Sequence, residues 1–196
     1  AGMASQPDIC IRGAGIVGRT LALLLARERL NVALVESPQR PVLPDVRAYS
    51  LNAAAMALLQ DLRCWPDSPA VTPVHQMQVW GDHGGHLNFG ANDQGVGELN
   101  WIVDVPVLEA RLAAAVQFQP QIVLMQAPVA APLTVVCEGR ASQTRAELGV
   151  PFDIKAYTQH ALATRVRCAM PHQQTARQWF EAGARSEERR VGKECL

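Results

Sequence analysis

DICIRGAGIVGRTLALLLARERLNVALVE, residues 8–36, is the stretch whose reading decides the fold. Ile9 and Ile11 alternate in a short run that stops at Gly13, the pattern of a strand ending in a tight turn. From Ile16 to Glu28 the apolar residues Ile16, Val17, Leu21, Leu23, Leu24 and Leu25 occupy most faces, which predicts a buried helix. VALV at 32–35 then reads as a second strand buried on both sides and ending at Glu36.

Within this βαβ unit, Gly13-Ala14-Gly15-Ile16-Val17-Gly18 satisfies GxGxxG, and Glu36 lies eighteen residues beyond Gly18. Three glycines in six positions are a weak signal alone. Their place between a strand and a helix, with an acid at the end of the next strand, makes them a dinucleotide-binding fingerprint. Gly13 permits the turn, Gly15 lets the backbone approach a pyrophosphate, and Gly18 lets the helix pack on the sheet. The unpaired N–H groups of the helix start donate to phosphate oxygens, aided by the helix dipole. Glu36 accepts hydrogen bonds from ribose hydroxyls and repels a 2′-phosphate, which disfavours NADP at this site. A glycine-rich loop without a ligand, and a solvated carboxylate at a strand end, are the plainer readings of the same residues.

Further along, Ser50 is expected to cap a helix reaching about Leu62. His75 to Trp80 and His86 to Phe89, around the turn Gly81–Gly85, read as a hairpin. Pro106 suits the first turn of a helix reaching about Val116. β-like runs follow at Ile122–Met125, Leu133–Cys137 and about Ala161–Cys168.

The chain has 196 residues, 48% hydrophobic and 18% charged, enough for one globular domain with a sizeable core. Its 18 basic and 18 acidic residues balance, which argues against nucleic acid and acidic lipid surfaces as partners. No apolar run is long enough to span a membrane and no secretory signal is legible, so a cytoplasmic protein is expected. Cys10, Cys64, Cys137, Cys168 and Cys195 show no metal spacing and are read as free thiols. His83 and His86 lack a third ligand, so no metal is expected. From Arg185 the composition changes to RSEERRVGKECL, which resembles a translated sequencing adapter. Residues 185–196 are therefore set aside from the fold; without them 14 basic residues face 15 acidic, and the charge argument stands.

NAD dehydrogenases and flavoproteins share the fingerprint, so the choice rests on residues outside it. DVRAYSLN (45–52), WIVDVPVLEARL (101–112), CEGRASQTRAELGVPF (137–152), and the segments YTQHALATRV and PHQQTARQWF between Tyr157 and Phe180 resemble the ubiquinone-biosynthesis aromatic hydroxylases, flavin monooxygenases similar to para-hydroxybenzoate hydroxylase. The resemblance implies an α/β fold, a Rossmann-like FAD-binding domain interleaved with part of a β-sheet substrate domain and truncated at its C-terminus. On that mapping 1–70 and 100–149 belong to the FAD-binding domain, and 71–99 and 150–184 to the substrate domain. Arg47 matches an arginine lying near the flavin, and Glu138-Gly139 matches an Asp-Gly motif touching FAD and the passing nicotinamide nucleotide. Glu138 is one methylene longer than the usual Asp. Val105 stands where relatives often carry a polar residue, so no contact is assigned to it. A later Gly-Asp motif of the family has no counterpart, since Gly81-Asp82 sits in the hairpin turn.

The cofactor so implied is FAD, with NAD(P)H as transient co-substrate, O2 as oxidant and a polyprenyl phenol as the aromatic substrate. The whole protein is then expected to touch the inner membrane peripherally or to join a ubiquinone-biosynthesis complex. No residue emerges as a catalytic acid or base; Tyr157, His160 and His172 are read as serving packing or family-specific structure. Two alternatives stand beside this reading: another Rossmann-type flavoprotein, a reductase or oxidase, and an inactive fragment that binds no cofactor.

Overall fold

The computed structural model describes residues 6–38, 44–181 and, for the backbone, 184–188. In chain order the elements are β1 (Ile9–Arg12), α1 (Ile16–Arg27), β2 (Val32–Val35), β3 (Ala48–Leu51), α2 (Ala53–Asp61), β4 (Val71–Val74), β5 (Gln76–Trp80), β6 (His86–Gly90), β7 (Asn100–Asp104), α3 (Val105–Gln117), β8 (Ile122–Met125), β9 (Leu133–Val136), α4 (Gln143–Glu147), β10 (Thr175–Glu181) and β11 (Ala184–Glu188). They fall into two compact units, 1–43 with 109–162 and 44–108 with 163–196.

The first unit is built on a parallel sheet of order β8-β2-β1-β9. β1 is central, with Ile9, Cys10 and Ile11 buried, and all four residues of β2 are buried, as expected of strands covered on both faces. Leu34 and Ile11 lose all contact with solvent, and Ala22, Leu23 and Ala26 of α1 are buried as well. α1 is less enclosed than its composition predicts: Val17 is 68% exposed, so the helix has a wet side at its start. The chain leaves β1 toward β2 on one side, whereas β9 pairs with β1 on the other. That reversal makes the carboxyl ends of β1 and β9 a topological switch point, where open α/β sheets form a ligand crevice.

The second unit holds two sheets, an antiparallel β3-β7-β4 and a mixed β11-β10-β5-β6. The hairpin read from the sequence is present as β5 and β6, closed by the Gly81 N–H donating to the Gly85 carbonyl at 2.7 Å. Trp80 stacks between His86 and Trp179, each ring pair 5.0 Å apart, which ties β6, β5 and β10 together on one face.

Two expectations give way. Ser50 does not cap a helix: it lies within β3, where its hydroxyl accepts from Asn100 Nδ2 at 2.6 Å, and Asn52 caps α2 by accepting from the Ala55 N–H at 2.9 Å. Pairing with β7 keeps the chain extended for two residues more. Ala161–Cys168 forms no strand, and Leu162 and Val166 face solvent at 93% and 75% exposure. Its alternation finds no partner among the described residues, and an unpaired strand is not stable. Of the set-aside tail, 185–188 run antiparallel to β10 as part of β11, and 189–196, with Cys195, lie outside the described residues.

Candidate functional site

In the first unit β1 stops because Gly13 turns at φ +112°, a backbone conformation that side chains disfavour. Its N–H donates to the Val35 carbonyl at 3.1 Å, and the Cys137 N–H donates to the Arg12 carbonyl at 2.7 Å, so the ends of β2, β1 and β9 are bound side by side. A Cβ on Gly13 would overlap the Cys137 carbonyl, and one on Gly18 would overlap the Gly13 carbonyl. Both glycines are required by packing alone.

Gly15 is different. It caps α1 with φ −82° and ψ −166°, values open to any residue, and a Cβ placed on it meets nothing within 4 Å. No side chain caps α1 there and no acid occupies its first turn. Ala14 and Ile16 are half-buried and Val17 is exposed, so the loop 13–18 presents backbone at a helix start whose N–H groups are intrinsically unpaired. The space before Gly15 is open, so nothing in the protein prevents a ligand from approaching this backbone closely.

Glu36 follows β2 directly, held by its N–H donating to the Met125 carbonyl at 2.9 Å. Its Oε1 lies 3.5 Å from Arg19 Nη2, a partner on α1 that the sequence analysis did not single out. Glu138 follows β9. Both its carboxylate oxygens accept from the Thr144 hydroxyl, one of them at 2.8 Å, with the Thr144 N–H at 3.4 Å and Arg12 Nε at 4.0 Å. Arg12 Nη1 also reaches Glu147 Oε2 at 3.5 Å. The longer Glu side chain is thus anchored to α4 and to the end of β1. Ser142 caps α4 by accepting from the Arg145 N–H at 3.2 Å, and the Arg145 guanidinium lies 3.6 Å above the Phe152 ring.

The first unit therefore gathers Gly13 to Gly18, Glu36 and Glu138. Arg47 belongs to the second unit, where Asp45 braces it: Nε and Nη2 donate to the two Asp45 oxygens at 2.9 and 2.7 Å, and the Arg47 N–H donates to Oδ1 at 3.1 Å. These bonds from Arg47 hold the Asp45 carboxyl below its ordinary value of 3.8. A lowered folded-state pKa stabilises the fold fully above the unfolded value, and that contribution is lost as pH falls through the lowered one. The stability gap between the native chain and Asp45→Asn is expected to be constant from neutral pH to about pH 5 and to close below the ordinary carboxylate range. Urea unfolding at stepped pH measures it; a gap that widens on acidification would contradict the assignment.

Burial raises the Cys137 thiol, which keeps it protonated and a poor nucleophile. The buried Cys10 and Cys64 and the half-buried Cys137 and Cys168 take part in no disulfide among the described residues. His83 is exposed beside Asp82 at 3.7 Å, and among the described residues no group of three metal-ligating side chains occurs. His172 is buried, with Nδ1 accepting from the Gln174 N–H at 2.9 Å, whereas Tyr157 and His160 are exposed. Among the described residues no helix is long and apolar enough to cross a membrane.

No family profile matches the chain. It is 27% identical to the 3-demethoxyubiquinol 3-hydroxylase of Escherichia coli (strain K12), over 94% of this chain and 55% of that protein. It is 24% identical to the ubiquinone hydroxylase UbiM of Neisseria meningitidis, over 92% of this chain and 46% of that one. The chain thus spans about half the length of the curated relatives it matches. Among solved structures, PqsL of Pseudomonas aeruginosa, a probable FAD-dependent monooxygenase, superposes with a TM-score of 0.74 at 16% identity, over 97% of this chain and 58% of that one. The flavin-dependent monooxygenase PieE, solved with FAD and substrate, gives 0.60 at 19% identity, over 78% and 33%. The mixed α/β fold with its parallel sheet is that of the FAD-dependent monooxygenases.

Proposed function

We propose, from the premise that this chain is a relative of the ubiquinone-biosynthesis FAD-dependent hydroxylases, that it is the FAD-holding part of a monooxygenase. The whole enzyme would hydroxylate a polyprenyl phenol intermediate of ubiquinone biosynthesis with NAD(P)H and O2. The single observation that carries this reading is the contrast within the glycine loop: Gly13 and Gly18 are demanded by packing, whereas nothing in the surrounding protein demands a glycine at 15.

The backbone N–H groups at the start of α1 would hold the pyrophosphate, and Glu36, kept in place by Arg19, would accept from the ribose hydroxyls. Glu138 and Arg47 are the two further residues assigned to the cofactor by family resemblance. When bound, FAD supplies the redox chemistry, passing electrons from nicotinamide to oxygen; the protein supplies orientation and a dry site. Segments 71–99 and 150–184 are assigned to the substrate layer, and 1–70 with 100–149 to the cofactor layer. A substrate with a polyprenyl tail gives the whole protein reason to touch a membrane surface.

The outer strands of the parallel sheet support the view that more chain belongs here. Val123 and Leu124 on β8 and Leu133 on β9 are 56%, 41% and 54% exposed, whereas parallel sheets are normally covered on both faces. The test is a visible spectrum of the purified 196-residue chain mixed with FAD and desalted. Retained flavin absorbance is the expected result. A colourless chain with a folded circular dichroism spectrum would favour a nicotinamide dinucleotide instead, and a colourless aggregate would favour the inactive-fragment reading.

A further inference from the structure

We propose that a polar cavity in the second unit is a binding site for a small hydroxylated ammonium compound, an inference that stands apart from the FAD reading. The cavity, about 560 Å3, is formed wholly within that unit by the start of β5, the end of β6 with the residues after it, and the turn that leads into β10. Its volume lies within the roughly 300–1,000 Å3 usual for small-molecule sites. Asp93 supplies a carboxylate, and no lysine or arginine stands among the described lining residues. Such a site repels anions and attracts an ammonium group. The amides of Gln76, Asn92 and Gln173 and the hydroxyl of Thr175, which both donate and accept, match the hydroxyls of a ligand. Gly90 makes room for the carboxylate, since a Cβ there would stand 2.8 Å from Asp93 Oδ2.

The turn into β10 is strained. Gln173 and Gln174 both hold left-handed backbone angles, φ 52° and 55°, which glycine would adopt without strain. Bonds on either side impose the conformation: His172 Nδ1 accepts from the Gln174 N–H at 2.9 Å, the His172 carbonyl from the Thr175 N–H at 3.1 Å, and the Gln174 carbonyl from the His75 N–H at 2.8 Å. Strain of this kind persists where a side chain is used, and Gln173 is a side chain that the turn brings to the cavity wall. The same turn holds an unmatched donor. With Nδ1 accepting, the His172 proton sits on Nε2, which is buried and meets no acceptor among the described residues. A polar cavity releases little apolar surface to a ligand, so selectivity rather than strength is the expected signature of binding.

The test is a titration of the 196-residue chain at neutral pH, followed by amide chemical shifts, with two probes that differ only in charge: glucamine, the 1-amino derivative of sorbitol, and sorbitol itself. Glucamine is expected to bind about tenfold more tightly than sorbitol, with shifts concentrated at 75–76, 90–97 and 173–175. Asp93→Asn should bring glucamine to the level of sorbitol and leave sorbitol unchanged. Gly90→Ala, which displaces the carboxylate and keeps its charge, should give a smaller loss confined to glucamine. Gln173→Gly should raise the melting temperature by relieving the turn and weaken both probes. Equal affinity for the two probes, no binding of either, glucamine affinity undiminished in Asp93→Asn, or shifts outside the three segments each overturn the inference. Should Asp93→Asn fail to fold, Gly90→Ala decides in its place, and unchanged glucamine affinity there overturns it. None of these outcomes touches the FAD reading, which the visible spectrum tests by itself.

Discussion

Gly18→Ala is expected to cost about 4 kcal/mol and to lower the melting temperature by roughly 10 °C, at about 2–4 °C per kcal/mol for a chain of this size. Gly18 is buried within α1, and its added Cβ would overlap the carbonyl oxygen of Gly13. That oxygen cannot retreat. Gly13 is held by its N–H bond to Val35 and sits against the Cys137 carbonyl, so the clash must be relieved by moving α1 away from the sheet. Moving α1 would loosen Ala22, Leu23 and Ala26 from the core, and overpacking of this kind exceeds the usual penalty for an extra methyl group because the obstacle is backbone. Thermal unfolding followed by circular dichroism measures the effect. A melt within about 2 °C of the native chain, below 1 kcal/mol, would show that the turn yields and that the close approach is not what holds the fold.

Gly15→Ala is expected to do the reverse: FAD affinity falls roughly 100-fold, near 3 kcal/mol, with no loss of stability. The Gly15 backbone angles are ordinary for an L-residue and a Cβ there meets no protein atom, so the folded state accommodates alanine freely. Alanine also restricts the unfolded chain, which stabilises by about 0.4–1 kcal/mol at a compatible site. Only a ligand approaching the backbone would meet the methyl group. Equilibrium titration with FAD beside a thermal melt separates the two effects. Unchanged affinity with unchanged stability would mean that nothing binds against Gly15, and the cradle reading would be lost.

The pair shows how far a motif can be taken. GxGxxG in the sequence treats its three glycines alike as parts of a phosphate loop, whereas the structure divides them by what surrounds each one. Gly13 and Gly18 answer to Cys137 and to each other; Gly15 answers to empty space. Glu138 shows the same division. Its place after β9 was legible, but its partners Thr144 and Arg12 were not, because Arg12 reaches it only through the pairing of β1 with β9 and Thr144 only through the turn into α4.

Periodicity and glycine placement determined, from sequence alone, the βαβ unit of β1, α1 and β2, the β5–β6 hairpin, the span of α3 and the strands β8 and β9. These are local patterns, set by which faces must be buried within a few residues of one another. Tertiary structure decided what depends on partners distant in the chain. Ser50 became part of a strand because β7 was there to pair with it, and Ala161–Cys168 did not because nothing was. Arg165 found its acceptors in carbonyls nearly 120 residues earlier. A side chain's alternation can be read where it stands, but the acceptor that fixes its function is chosen by the fold, since hydrogen bonds and ion pairs act only over a few ångströms and carry no trace in sequence spacing.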